Sequence, residues 1–175
     1  MRRSHGTAVI ISTVLIAVAS IGSADATVVS DFKSGLVCDP GKAHAWICHQ
    51  AEDIHLTGQG RCVYDGEQYP CTWYGFSFNY ANNIPGTQLE CEYTSTLPRD
   101  MGNPEGVVAR NTATGKYSLT LDHVEGRVFN PQYTIFGVRT PEDDGLDSTT
   151  TTCSISGQEI ATFEFNLLVP LIPVD

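Results

Sequence analysis

Basic residues are scarce in this sequence. Ten Lys and Arg stand against twenty Asp and Glu, a formal charge of −10. A chain so short of cations is a poor partner for nucleic acid, whose binding rests on phosphate neutralisation. No Lys/Arg-rich stretch carries an apolar face, so peripheral binding to a membrane has no support either. Catalytic signatures are missing as well: the sequence holds no GxSxG elbow and no HExxH pair, the usual marks of serine hydrolases and zinc proteases. CxxC, the spacing that thiolate zinc sites favour, does not occur. Helical stripes, repeats at solenoid or propeller period and Asn-x-Ser/Thr sequons are also absent.

One long uncharged run is present, and it lies at the start. Ala8 to Gly22 follows Arg2 and Arg3 and precedes Ala24-Asp25-Ala26, the charged, apolar and small-residue parts of a secretory signal. It contains Ser12, Thr13 and Ser20 and is shorter than the roughly 20 residues of a bilayer span. The expectation is a cleaved signal over residues 1–26, a domain over residues 27–175 with no membrane span, and a secreted or periplasmic location. Loss of the signal leaves eight basic and nineteen acidic residues. With 41% of its residues hydrophobic and 17% charged, the remainder reads as one folded domain, long enough to bury roughly 70% of its unfolded surface.

All six cysteines (Cys38, Cys48, Cys62, Cys71, Cys91, Cys153) follow Ala26. An even number behind an export signal points to disulfides and an oxidising compartment. A four-residue loop over Asp65 to Gln68 would set Tyr64 opposite Tyr69 and Cys62 opposite Cys71, which joins that pair. Cys91 and Cys153 lie in separate alternating segments and are expected to pin two distant strands, leaving Cys38 for Cys48.

The N-terminal part is cysteine-rich, over about 38–71. A short leader from Thr27 to Val37 is followed by an irregular stretch to about Gly60. From Cys71 the pattern becomes period two: Tyr74, Phe76, Phe78 and Tyr80 alternate with Trp73, Gly75, Ser77 and Asn79. Leu89, Cys91 and Tyr93 alternate with polar neighbours, as do Tyr117, Leu119 and Leu121, and Ala161, Phe163, Phe165 and Leu167. Asn130-Pro131 divides two less regular runs, and Ser148 to Ser156 is β-branched. Gly102-Asn103-Pro104 and Thr114-Gly115 read as turns. Seven or more short strands at this spacing predict an all-β fold, an antiparallel β-sandwich of immunoglobulin-like or jelly-roll-like architecture with disulfides. No Trp lies between Cys91 and Cys153, and Thr151 occupies the place of a tyrosine corner, so the architecture carries no family with it.

The functional expectation is an exported, non-catalytic β-sandwich, a binding or structural module of the cell envelope or extracellular space. Its partner would be a protein or a glycan, and no cofactor is expected. Contact residues are sought among aromatics near the small hairpin, Trp46, Trp73 and Tyr74. Leu171 and Ile172, in an apolar C-terminus, are candidates for assembly into an oligomer by strand addition. Asp143, Asp144 and Asp147 form a weak calcium candidate, without the order of an EF-hand loop. A second reading is a secreted hydrolase or metal-dependent enzyme using the region of His44, His49 and His55 or an acidic pair. A third is a secreted enzyme inhibitor that presents the 62–71 hairpin.

Overall fold

In a computed structural model the described residues are 26–40, 45–135 and 147–168. The signal expected over residues 1–26 lies outside them except for Ala26. No helix occurs among the described residues. The described residues form ten strands: β1 (Val28–Cys38), β2 (Trp46–Gln50), β3 (Asp53–His55), β4 (Gly60–Tyr64), β5 (Glu67–Ala81), β6 (Thr87–Asn103), β7 (Gly106–Leu121), β8 (Gly126–Ile135), β9 (Asp147–Ile155) and β10 (Gln158–Leu168). The fold is all-β, as expected. A sandwich presupposes two separate sheets, however, and these strands form one, curled into a half-barrel. Nor is the sheet purely antiparallel, since β3 runs parallel to β10.

The long β6–β7 hairpin explains the single sheet. Over its first residues β6 lies between β7 and β9, with Leu89 opposite Leu119 and Ile155. Near its end it exchanges β9 for β8, pairing Met101 with Thr134 and Gly102 with Tyr133. Between these stretches the register with β7 breaks three times, from Thr94 to Gly102. Bulges of this kind bend a strand and strengthen its twist, so one hairpin serves both halves of the curl. Thr114-Gly115, expected to be a turn, lies inside β7 opposite Thr94 and Tyr93. The missing side chain makes room for a ring: a Cβ on Gly115 would sit 2.5 Å from Tyr93 Cε1.

Two other expectations change in detail. The leader is the eleven-residue strand β1, which pairs with β2 and with β5. Its hydrophobic pattern is weak, and partners on both sides hold it. The β4–β5 connection is the two-residue turn Asp65-Gly66, with φ of 51° and 83°, the left-handed pair that a tight hairpin requires. Tyr64 therefore faces Glu67 and Cys62 faces Tyr69.

All three expected disulfides are present, in keeping with an oxidising environment. Cys62 and Cys71 are joined as diagonal neighbours with Cα atoms 5.9 Å apart. Cys91 and Cys153 stand directly opposite on adjacent strands, 4.1 Å apart. That bond therefore staples one sheet internally instead of pinning two sheets together.

The alternating face of β5 supplies the core inside the curl. Phe76, Phe78 and Tyr80 pack on Leu89, Leu121, Val128, Ile155 and the Cys91–Cys153 bond. Phe163 approaches Phe76 and Phe32 with ring centroids 5.1 and 5.3 Å away. Tyr74 continues this face into a second cluster with Ile54, Leu56, Phe165 and Leu167. The opposite face of β5 is also covered: Trp73 and the Cys62–Cys71 bond pack with Val37, Ile47 and Tyr133.

Candidate functional site

The sequence-derived contact residues do not form one surface. Trp46, at the start of β2, is 44% exposed. Trp73 is buried, its ring edge-to-face on Tyr133 at 5.0 Å and its N–H donated to the Arg61 carbonyl at 3.2 Å. Tyr74 is 1% exposed, and its hydroxyl meets Thr134 Oγ1 at 2.9 Å. Leu171, Ile172, Asp143 and Asp144 lie outside the described residues. Asp147 is buried and turned inward, where its Oδ2 lies 3.4 Å from Arg99 Nη1 and its Oδ1 accepts a hydrogen bond from Thr96 at 3.1 Å. His49 and His55 are exposed on β2 and β3, and His44 is outside the described residues. Among the described residues no three His, Cys, Asp or Glu side chains converge in a way that could hold a metal. No helix among them is long and apolar enough to cross a membrane.

A different place collects the interior polar groups. β7 pairs only with β6, and β8 meets β6 at two positions near its end, so an unpaired seam separates most of β7 from β8. The seam holds a cleft of about 510 Å³, within the roughly 300–1,000 Å³ range of small-molecule sites. Its apolar lining comes from Tyr93, Met101, Leu119 and the ring of Tyr117, and its polar lining includes Asn130 and Gln132.

Tyr117 bridges the seam. Its phenolic oxygen accepts hydrogen bonds from Asn130 Nδ2 at 3.0 Å and Gln132 Nε2 at 2.9 Å. Burial pushes the phenol well above its ordinary range, against a smaller lowering by the two amides, so at neutral pH it keeps its proton. With two donors already on its oxygen, the Tyr117 O–H still needs an acceptor. Each amide likewise has a carbonyl oxygen and a second N–H to place. Among the described residues nothing takes up these positions. Neighbouring Tyr93 is settled, its hydroxyl 3.1 Å from Thr112 Oγ1.

Cations at the rim are already occupied. Arg110 pairs with Asp65 and lies over the Tyr64 ring, 4.8 Å from its centroid. Lys116 pairs with Glu92 across the hairpin. Asp65 raises the pKa of the Arg110 guanidinium, consistent with a fixed charge pair on an exposed surface. Deeper in the same end of the curl, Arg99 donates to Ser95 Oγ through Nη2 at 2.6 Å and Nε at 3.2 Å, and Ser95 meets Thr149 at 3.2 Å.

The sequence offered one signal near this site, Asn130-Pro131, read above as a break. It is instead the middle of β8, where Pro131 faces Gly75 on β5. A strand tolerates proline where one side lacks a partner, and β8 is open toward the seam there. Tyr117 was assigned to an inward face; that its hydroxyl would meet two amides from a strand it does not pair with depends on the curl. Comparison with known protein families and with curated proteins finds no match for this chain.

Proposed function

We propose that this chain is an exported, non-catalytic binding module, secreted or periplasmic, whose ligand sits in the seam between β7 and β8. The observation that carries the reading is the trio Tyr117, Asn130 and Gln132: hydrogen-bonding positions that, among the described residues, have no partner, set beside the apolar groups Tyr93, Met101 and Leu119 in the cleft. Groups so placed orient a ligand in a pocket whose apolar lining supplies contact area. A sandwich-like core is supported by Phe163 of β10 packing on Phe76 of β5, strands that are not neighbours in the sheet.

Thermal unfolding in the presence of glycan fragments and of proteins from the exported fraction tests this reading, because a ligand bound only to the folded state raises the transition temperature. The expected result is a stabilising ligand, recovered chemically unchanged, whose effect is lost in Tyr117→Phe and Gln132→Ala. Consumption of the ligand would make the protein an enzyme, and an effect indifferent to both substitutions would move the site elsewhere.

The β4–β5 hairpin favours a second reading, an inhibitor that presents a rigid loop. The Cys62–Cys71 bond, the Arg110–Asp65 pair and the Tyr64–Asp100 hydrogen bond all brace its tip. Inhibition of a secreted hydrolase, abolished by Gly66→Val and untouched by Gln132→Ala, would establish it in place of the first.

A further inference from the structure

Resting on the reading of the seam as a binding site, we infer that its ligand is a short stretch of uncharged glycan. A sugar ring offers hydroxyls that donate and accept by turns along its rim, and apolar C–H faces. The cleft offers the complement. Tyr117 has an O–H to give, and among the described residues the carbonyl oxygens and second N–H positions of Asn130 and Gln132 have no partner. The rings of Tyr93 and Tyr117, with Leu119, provide surface for the C–H faces.

The other ligand classes fit less well. An anionic ligand would need a cation with charge to spare, but Arg110 and Lys116 are each paired with a carboxylate, and the chain as a whole carries −10. A wholly apolar ligand would strip water from the phenol and the two amides without replacing its hydrogen bonds. An extended peptide would bind by pairing with the open edge of β7, which leaves the inward-facing trio unused.

Proton–nitrogen NMR of the folded protein separates these cases, read at the side-chain amides of Asn130 and Gln132 and the β7 backbone around Tyr117. The probes are cellotetraose, chitotetraose and maltotetraose as neutral glycans, tetragalacturonate as an acidic one, and a Thr/Val-rich strand-forming peptide. The inference expects at least one neutral glycan to move these signals saturably. Binding should weaken roughly tenfold or more in Tyr117→Phe and in Gln132→Ala and stay unchanged in Trp46→Ala. An unaltered amide dispersion would show that each variant is folded. If tetragalacturonate or the peptide moves the same signals and no neutral glycan does, the glycan assignment falls while the site stands. If no probe moves them, the assignment falls; a cleft-dependent stabiliser in the thermal assay would then preserve the site by itself.

Discussion

The two ends of the curled interior are built from the same strands to opposite ends. Where β6 and β7 stay in register, from Thr87 to Thr94, their inward residues meet Phe76, Phe78 and Ile155 in a closed apolar core. Beyond Thr94, where the register breaks, Ser95, Arg99, Asp147 and Thr149 are buried together, and the seam lies between the two ends, with Tyr117 and Leu119 from the regular stretch and Met101 from the broken one. Regular pairing lets alternation deliver hydrophobes to one face; bulges re-aim side chains and commonly mark sites. One end is therefore held by apolar packing and the other by a buried polar network.

The largest expected effects break each end separately. Phe76→Ala should cost about 3–5 kcal/mol in urea unfolding, the range for deleting a buried phenyl ring. Arg99→Met should cost a similar about 3–5 kcal/mol, because it removes a buried cation that faces the Asp147 carboxylate and donates to Ser95. The contrast lies in rescue: adding Asp147→Asn to Arg99→Met should recover most of the loss, since the amide keeps an acceptor for Thr96 without the charge. Failure of that rescue would mean that the polar end is held together by more than charge balance.

Next in size are the disulfides. Replacing Cys91 and Cys153 by Ser releases a loop with a sequence separation of 62, against 9 for Cys62 and Cys71. Chain entropy alone puts the losses at about 4 and about 2.6 kcal/mol. Equal losses would show that native-state packing around the bonds outweighs the loop term.

A smaller effect appears in alkali. Burial raises the phenols of Tyr74 and Tyr117 above the ordinary value of 10.0. The unfolded chain then releases these protons at a lower pH than the folded one, so their contribution is intact below about pH 10 and falls as pH rises beyond it. The urea midpoint should decline above about pH 10, less steeply in Tyr117→Phe than in the parent. A parallel decline would mean that the Tyr117 phenol is not shielded.

Much of the apolar end was legible in the sequence, and little of the polar end was. Period-two alternation at Tyr74 to Tyr80, Leu89 to Tyr93 and Tyr117 to Leu121 marks strands and their inward faces because burial on one face is a local constraint. Cysteine spacing identified the three bonds, although the Asp65-Gly66 turn shifted the expected register and Cys91–Cys153 joins neighbours. Arg99, Asn130 and Gln132 carry no local mark of burial. Their partners lie on other strands or across a bulge, Tyr117 for the two amides and Ser95 and Asp147 for Arg99, brought together by a bend in β6 that no residue pattern announces. The candidate contacts Trp73 and Tyr74 are both buried, because β5 is partnered on both sides and both of its faces are covered.

The central claim is that Tyr117, Asn130 and Gln132 face an open cleft and are kept for a ligand. Urea unfolding of Tyr117→Phe at neutral pH tests it most directly. If the amides open to the cleft, water replaces the lost phenol oxygen and stability should fall by no more than about 1 kcal/mol, the worth of an ordinary hydrogen bond. A loss of about 2 kcal/mol or more would mean that two amides had been stranded in a sealed interior, and the trio would then be part of the core, not a site.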